Sequence, residues 1–181
     1  VASQCALLIF QKARQKDIKE IIIICGPGNN GGDGLVVGRL LLEEGYNVTL
    51  YIVNFTKERT PDFLLNYNRI KDMGEPWPTL LTSEEDFPEL NPKDFVIDAI
   101  FGIGLNRPAE GWVASLINHI NKSNAFILSI DMPSGLFSTC PIGHGKLMPP
   151  IMPKPFDRME VPRSIAVCPE CDGVVEVECN E

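Results

Sequence analysis

The chain of 181 residues is long enough for one domain with a buried core and too short for a (β/α)₈ barrel, which needs about 250 residues. Its net charge of −8, without a basic run, argues against a nucleic-acid partner, and no apolar run approaches the roughly 20 residues of a membrane span. The six cysteines are scattered, which is typical of reduced thiols, so we expect a cytoplasmic protein. The chain begins with Val1 and not Met, directly before the helical pattern of residues 2–16, so we expect the native N-terminus to precede it.

The most informative segment is a glycine-rich turn, residues 26–34, between a predicted strand and a predicted helix. The isoleucines at 21–24 predict a strand buried on both faces, and the apolar run at 35–42 predicts a helix. Glycines in this glycine turn allow positive φ and let a ligand approach the main chain. The helix that we expect to begin after Asp33 favours an anion such as a phosphate at its N-terminus. The glycine turn is therefore predicted to bind a ligand.

Two other interpretations of the glycine turn are open. Gly26, Gly28 and Gly31 fit the dinucleotide pattern Gly-x-Gly-x-x-Gly, which calls for an Asp or Glu about 20 residues later at the end of the second strand. The second predicted strand, at 47–53, is followed by Asn54 instead, so an ordinary dinucleotide fold is disfavoured. A strand-to-helix turn that binds nothing is the remaining alternative.

Strands and helices alternate along the rest of the chain. The further predicted elements are a helix from about 34 to 44 ended by Gly45, a helix that begins at Thr60-Pro61-Asp62 and ends at Gly74, an acidic, proline-rich surface connection at 75–93, a strand at 95–101, a helix at 109–121 and a strand at 125–131. Such alternation predicts an α/β fold, a Rossmann-like three-layer sandwich with a mostly parallel sheet.

Polar residues cluster at the predicted carboxyl ends of the strands, where parallel sheets bind ligands. They are Asn29, Asn30 and Asp33 after the first strand, Asp98 within the third, and Asp131 and Ser134 after the last. A single Asp near a strand end is more often a loop cap than a catalyst. The convergence of several such residues on one edge is the stronger indication of a functional site.

Three motifs together resemble those of one family. They are Cys-Gly-Pro-Gly-Asn-Asn-Gly-Gly-Asp-Gly at 25–34, Asp-Ala-Ile-Phe-Gly at 98–102 and Ser-Ile-Asp-Met-Pro-Ser-Gly at 129–135. In order and spacing, residues 2–138 resemble the NAD(P)H-hydrate epimerase family, also called the YjeF N-terminal domain. The resemblance implies an isomerase that interconverts the R and S forms of NADHX and NADPHX, cofactors hydrated at C6 of the nicotinamide ring. This reaction repairs damaged cofactors together with a dehydratase that consumes the S form.

The resemblance also implies roles for individual residues. Epimerisation at C6 requires a bond at that carbon to break and re-form, so it needs an acid/base group beside the ring, and Asp131 is the catalytic candidate. Asp131 is also implied to bind substrate, together with two loops: Asn29, Asn30, Gly31, Gly32 and Asp33, and Gly102, Ile103, Gly104, Leu105, Asn106, Arg107 and Pro108. A potassium ion is implied at Asn30, Asp98 and Ser134, which offer hard oxygen donors. The family resemblance further implies a homodimer.

The C-terminal part departs from the family pattern. Residues 139–163 contain six prolines and no periodicity, so we expect a domain at 1–138 without its last strands. Residues 139–181 form a divergent tail, and one alternative is that this tail is disordered. The pair Cys168 and Cys171 supplies only half of a usual four-ligand zinc site, and Cys179 follows eight residues later, so free thiols are favoured over zinc.

Two alternatives to an enzyme follow from these departures. One is a non-catalytic scaffold or ligand-binding module of the same fold, and the other is an inactive, truncated fragment. The joint presence of Asn30, Asp98, Asp131 and Ser134 favours the epimerase, because a scaffold has no need for a complete cation and acid site.

Overall fold

The computed structural model describes residue 18, residues 20–105 and 108–135, and the backbone of residues 165–167 and 174–176. Several sequence-based predictions lie outside these residues and have no structural account. They are the helix at 2–16, the binding residues Asn106 and Arg107, and the thiols of Cys168, Cys171 and Cys179.

The main sheet has five strands, and the described part of the chain contributes three α-helices. The strands are β1 (Ile21–Cys25), β2 (Val48–Val53), β3 (Thr79–Leu81), β4 (Phe95–Ala99) and β5 (Phe126–Ser129). The helices are α1 (Asn29–Glu43), α2 (Pro61–Asp72) and α3 (Gly111–Lys122), with a short 3-10 helix at Glu84–Asp86. Strands β6 (Ile165–Val167) and β7 (Val174–Glu176) pair antiparallel in a separate two-stranded sheet.

All five strands of the main sheet run parallel, in the order β3-β2-β1-β4-β5. Alternate residues of the buried β1 face two separate cores. Ile23 packs with residues of α1 and α2 on one face, and Ile24 packs with residues of α3 on the other. The predicted α/β class, a parallel sheet with helices on both faces, is confirmed. No helix in the described part of the chain is long and apolar enough to cross a membrane.

The strand order places a topological switch point between β1 and β4. The connection that leaves β1 continues through α1 toward β2, whereas the connection that leaves β4 continues through α3 toward β5 on the other face. A crevice opens where two such connections diverge, and ligands of open α/β sheets bind in it. We therefore expect the ligand site at the carboxyl ends of β1 and β4.

The predicted helix boundaries around α2 are confirmed. The Thr60 hydroxyl accepts a hydrogen bond from the Phe63 N–H at 3.3 Å, and Pro61 occupies the first turn. A cap of this kind is worth about 1 kcal/mol. Gly45 and Gly74 have φ of +80° and +99°, the left-handed conformation expected of glycines that end helices.

The start of α1 differs from the prediction. The helix begins at Asn29 and not after Asp33, and its first backbone bond runs from the Gly32 N–H to the Gly28 carbonyl at 3.0 Å. Asn and Gly have low helix propensity, which favours a turn when the sequence is considered alone. Tertiary packing reverses that preference, because Gly31, Gly32 and Gly34 are all buried.

The connection at 75–93 also contains more structure than its composition predicts. β3 pairs with the end of β2, with Thr79 opposite Tyr51 and Leu81 opposite Val53. Only Leu81 of the three strand residues is buried. A three-residue edge strand with two exposed side chains has no hydrophobic pattern long enough to detect, so its pairing depends on β2.

Candidate active site

Close backbone packing, not backbone conformation, explains the glycines of the glycine turn. A Cβ on Gly26 would lie 1.9 Å from the Ile100 carbonyl oxygen, and a Cβ on Gly31 would lie 1.8 Å from the Gly26 carbonyl oxygen. No real Cβ tolerates such contacts. The expectation of positive φ here is wrong, because the described glycines with positive φ are Gly45, Gly74, Gly111 and Gly135. The absent side chains let the end of β4 press against the glycine turn.

Gly28 is the exception, and it faces open space. No heavy atom lies within 4 Å of the position of its Cβ, and it is the N-cap of α1 without a side-chain cap. The first turn of α1 contains no acidic residue. Backbone N–H groups in the first turn of a helix have no intrahelical partner, and the helix dipole adds positive potential there. This end of α1, including the exposed Asn29, is suited to an anionic group.

Asp98, at the end of β4, is buried and hydrogen-bonded on both carboxylate oxygens. Its Oδ2 accepts from the Ser134 N–H at 2.8 Å and from the Ser129 hydroxyl at 3.1 Å. Its Oδ1 accepts from the Ser134 hydroxyl at 2.5 Å and from the Ile100 N–H at 3.2 Å. Burial raises the pKa of Asp98, although these hydrogen bonds act in the opposite direction. Asp98 therefore fastens residues 131–135, which we call the acid turn, to the end of β4.

The backbone of Phe101 joins this network to the glycine turn. Its N–H donates to the Ser134 hydroxyl at 2.9 Å, and its carbonyl accepts from the Asn30 amide nitrogen at 2.8 Å. The backbone of Phe101 thus links Asn30 to Ser134, which in turn bonds Asp98, so the three predicted potassium ligands belong to one hydrogen-bond network. No sequence pattern identified Phe101 as part of the site, because its contribution comes from the main chain.

One buried oxygen in this network has no partner. Asn30 Oδ1 is inaccessible to solvent and makes no hydrogen bond with the described part of the chain. An orphaned buried carbonyl costs free energy unless a donor or a cation contacts it. The described residues contain no cluster of three or more His, Cys, Asp or Glu side chains that could hold a metal ion. The donors present are amide, carboxylate and hydroxyl oxygens, which suit a hard cation and not a soft one.

Asp131 begins the acid turn in a conformation that few side chains adopt. Its φ is +68°, and its Oδ2 accepts a hydrogen bond from the Ile103 N–H at 2.6 Å. The same oxygen lies 2.4 Å from the position of a Cβ on Gly102, so a larger residue there would displace the carboxylate. Asp131 is exposed at the mouth of the crevice. It is therefore oriented and accessible to a ligand.

The second predicted binding loop lies beside Asp131. The Leu105 N–H donates to the Gly102 carbonyl at 3.1 Å, which closes a turn, and the Ile103 side chain is exposed. A Cβ on Gly104 would meet no heavy atom within 4 Å, so this part of the loop is open. Pro108, at the far side of the loop, is also exposed.

Asp33 and Gly32 extend the site along α1. A Cβ on Gly32 would lie 3.3 Å from the Phe63 nitrogen, so Gly32 packs against the start of α2. Asp33 is half-buried, and burial raises the pKa of its carboxyl. The carboxylates of Asp131 and Asp62 raise that pKa further.

The loop after β2 contributes a wall that the sequence analysis missed. The Thr60 N–H donates to the Pro27 carbonyl at 3.3 Å, which ties this loop to the glycine turn. The rings of Phe55 and Phe101 lie 5.6 Å apart, and Phe55 is 39% exposed. An aromatic residue two positions after the end of a predicted strand was the available signal. Asn54 stands where a dinucleotide fold would have an Asp or Glu to bind the ribose. That substitution indicated only that this ribose contact is absent.

Comparison with a protein family and with solved structures gives consistent matches. The sequence model of the family described as YjeF-related protein N-terminus matches residues 1–152. The crystal structure of yeast ynu0, YNL200c, is 27% identical, with a TM-score of 0.59, and the match covers 75% of this chain and 62% of that chain. The parallel sheet described above is therefore similar to a fold seen by crystallography.

Several similar proteins carry names that state an activity. The NAD(P)H-hydrate epimerase of Rhodobacter capsulatus is 38% identical over 118 residues, 65% of this chain and 53% of that protein. The NAD(P)H-hydrate epimerase of Entamoeba histolytica is 39% identical over 121 residues, 67% of this chain and 50% of that protein. The bifunctional NAD(P)H-hydrate repair enzyme Nnr of Thermofilum pendens is 37% identical over 116 residues, which are 63% of this chain and 22% of that protein. The chain thus spans about half the length of the first two relatives.

Proposed function

The chain belongs to the YjeF-related protein N-terminus family, and we propose that it is an epimerase that interconverts the R and S forms of hydrated NADH and NADPH. The names of its relatives support this activity. The observation that carries the proposal is the arrangement at the switch point. An accessible Asp131 carboxylate, held by the Ile103 N–H, stands beside the oxygen network of Asn30, Asp98 and Ser134.

The chemistry at C6 requires proton transfer at a defined position. Asp131 supplies a carboxylate whose Oδ2 is held at 2.6 Å from the Ile103 N–H, so its orientation is set before substrate binds. The exposed N-terminus of α1, at Gly28 and Asn29, suits the diphosphate of the dinucleotide. We therefore place the diphosphate at the glycine turn and the hydrated ring between Asp131 and the loop that begins at Gly102.

Potassium is part of the proposal. Asn30, Asp98 and Ser134 would hold it, and the orphaned Asn30 Oδ1 supports this assignment. Asp98 itself supports it less, because its four hydrogen bonds account for its burial without a cation. Bound potassium would supply a positive charge that compensates the buried carboxylate and a partner for the Asn30 oxygen.

A potassium site of this kind predicts a stability difference between salts. At free K⁺ between about 10 and 100 times the dissociation constant, binding adds ~1–3 kcal/mol to the free energy of unfolding. We expect a higher thermal midpoint in KCl than in NaCl at equal ionic strength, and no difference for Asn30→Ala. Asn66→Ala is the matched control, since Asn66 lies on α2 away from the site, where it donates to the Asp62 carbonyl and accepts from Arg69 on an exposed helix face. A salt difference that persists in Asn30→Ala would remove Asn30 from the site.

Two partners belong to the same proposal. The product in the S form would be consumed by an NAD(P)H-hydrate dehydratase, and the chain would act as a homodimer in the cytoplasm. Light scattering of the purified chain tests the dimer. A monomeric mass at micromolar concentration would contradict it.

The decisive experiment is epimerisation of a prepared R/S mixture of NADHX in the presence of an excess of S-specific dehydratase. The dehydratase removes the S form, and the R form persists unless it is epimerised faster than its spontaneous rate. We expect rapid consumption of the R form by the wild-type chain in KCl. A folded chain that leaves the R form untouched would favour a scaffold or an inactive fragment.

A further inference from the structure

The loop after β2, residues 54–60, which we call the β2 loop, encloses one side of the crevice. β2 and β1 are parallel neighbours, so the β2 loop and the glycine turn leave the sheet at the same edge. The Thr60 N–H ties the end of the β2 loop to the Pro27 carbonyl at 3.3 Å. Its start lies beside the site, since the rings of Phe55 and Phe101 are 5.6 Å apart. The β2 loop is therefore fixed next to the glycine turn.

The half-buried Arg59 folds back across the β2 loop onto its first residue, Asn54. Nη2 of the guanidinium donates to Asn54 Oδ1. Nη1 donates to the Thr56 carbonyl and, at 2.9 Å, to the Glu58 carbonyl. The guanidinium also lies over the Phe63 ring, with 5.5 Å between Cζ and the ring centroid. Contacts on several sides thus hold this cation at the carboxyl end of β2.

The charge of Arg59 has no carboxylate partner in the described part of the chain. Its acceptors are uncharged carbonyl and amide oxygens. The nearest acids along the chain, Glu58 and Asp62, are exposed, and neither forms an ion pair with it. Its Nε–H makes no hydrogen bond with a described residue, and arginine binds phosphate through paired N–H groups. Arg59 therefore retains both charge and donors for an anionic ligand.

The end of the second strand is where dinucleotide folds distinguish NAD from NADP. An Asp or Glu at this position binds the ribose 2′-hydroxyl of NAD, and an Arg nearby accommodates the 2′-phosphate of NADP. Asn54 carries no charge that would repel a phosphate, and it accepts a hydrogen bond from the Arg59 guanidinium. The end of β2 thus presents the residue types that suit a phosphorylated ribose.

We propose that Arg59 binds the 2′-phosphate of hydrated NADPH, and that the site therefore prefers NADPHX to NADHX. This inference rests on the proposed epimerase function, with the diphosphate at Gly28 and Asn29. The adenosine ribose is joined directly to the diphosphate, and the β2 loop adjoins the glycine turn through the hydrogen bond between Thr60 and Pro27. The ribose would then lie over the end of β2. Arg59 acts on substrate binding and not on proton transfer at C6.

The first test compares the two substrates in Arg59→Gln, with chromatography to separate the R and S forms. For NADPHX, kcat/KM is expected to fall about 10- to 100-fold, mainly through KM, because charge-assisted bonds to the 2′-phosphate are lost. For NADHX, kcat/KM is expected to change less than about 2-fold, since this substrate has no 2′-phosphate. A merely structural role of Arg59 in the β2 loop would lower both values alike.

Three further variants sharpen this comparison. Arg69→Gln is the matched control, because it removes the same charge from an exposed position on α2, and it should leave the preference for NADPHX unchanged. Asn54→Asp places a carboxylate against Arg59 and offers an acceptor to a 2′-hydroxyl, so it should move the preference toward NADHX by about 10-fold. Arg59→Lys keeps the charge and loses the paired donors, so it should recover part of the preference that Arg59→Gln loses.

A binding experiment tests the inference without the epimerase reaction. Adenosine 2′,5′-bisphosphate and adenosine 5′-monophosphate differ in the 2′-phosphate, and calorimetry measures the affinity of the whole chain for each. We expect the wild type to bind the bisphosphate at least about 10-fold more tightly, because the Arg59 guanidinium contacts only that ligand's extra phosphate. The difference should shrink as the KCl concentration rises, and Arg59→Gln should bind the two compounds alike.

Two results would overturn the inference while the epimerase proposal stands. One is a wild type that epimerises NADHX but binds the two adenosine phosphates equally or binds neither. The other is a folded Arg59→Gln protein that loses activity on both substrates alike. If urea denaturation shows that Arg59→Gln is unfolded, Arg59→Lys and the wild-type affinities decide the question. A wild type that distinguishes the two phosphates but leaves the R form of both hydrates untouched would instead overturn the proposed function alone.

Discussion

The glycine turn and the acid turn face each other across the switch point, but they are held in place by different forces. In the glycine turn, Gly26 and Gly31 bring main chains together at distances that exclude any side chain. In the acid turn, Ser134 and Asp131 are held by hydrogen bonds to Asp98 and to the Ile103 N–H. Gly26 and Gly31 therefore tolerate no added atom, whereas the acid turn tolerates exchange of polar groups at a graded cost.

The largest expected effect comes from a methyl group added to the glycine turn. Gly31→Ala places a Cβ 1.8 Å from the Gly26 carbonyl oxygen, and backbone atoms cannot rotate away as a side chain does. We expect the free energy of unfolding to fall by about 3 kcal/mol or more, measured by urea denaturation. Gly28→Ala is the control, since its Cβ position is open, and should change stability by less than about 1 kcal/mol. Equal effects of the two variants would contradict the packing argument.

A smaller effect is expected when the acid turn loses its anchor. Asp98→Ala leaves the Ser134 and Ile100 N–H groups without their acceptor inside the protein. The loss should lower the free energy of unfolding by about 2–3 kcal/mol. Ser129→Ala removes only one donor to the same carboxylate and should cost ~1 kcal/mol. Urea denaturation of both variants checks the order, and an Asp98→Ala protein as stable as the wild type would refute it.

Asp131→Asn should separate stability from activity. Asn tolerates the left-handed backbone at φ +68° and keeps an oxygen for the Ile103 N–H, so stability should stay within about 1 kcal/mol of the wild type. The epimerisation rate should fall about 10²-fold or more, because an amide cannot exchange a proton. Asp131→Ala should be less stable than Asp131→Asn by ~1 kcal/mol, since alanine is strained at positive φ. Thermal denaturation and the coupled assay measure the two quantities, and full activity in Asp131→Asn would remove its catalytic role.

The smallest effect is expected outside both turns. Arg39 and Glu43 form an ion pair of 2.6 Å one turn apart on α1. Glu43→Gln removes its charge and should cost only about 0.3–0.5 kcal/mol at low salt, and less at high salt. If Glu43→Gln lowered the free energy of unfolding as much as Asp98→Ala, even a surface substitution would destabilise the protein strongly. The differences between the two turns could then not be attributed to their packing.

Much of the fold was predictable because its signals are local. The strands β1, β2, β4 and β5 and the three described helices follow apolar runs and periodicity, and the ends at Gly45 and Gly74 follow from the left-handed conformation that glycine adopts. β3 was not predictable, because its three residues carry no pattern and pair only with an existing neighbour. The early start of α1 at Asn29 was missed for a related reason, since burial against the sheet overrides low propensity.

The candidate site shows the same division between local and tertiary information. The residue types Asn30, Asp98, Asp131 and Ser134, in three separated motifs, were evident from the sequence, as was their position near strand ends. The link that the Phe101 N–H and carbonyl make between Ser134 and Asn30 was not evident, because residue type does not reveal what main-chain groups contribute.

The alternation of strands and helices, the family resemblance and the choice of polar residues can all be read from the sequence, since each depends on nearby residues along the chain. The strand order, the orphaned oxygen of Asn30 and the partners of Asp98 are visible only in the folded structure. The folded structure also shows why Gly26 and Gly31 must lack side chains. For Gly26 that reason is steric exclusion by the Ile100 carbonyl, a contact between segments far apart in sequence that exists only after the sheet has formed. For Gly31 it is steric exclusion by the Gly26 carbonyl within the folded glycine turn.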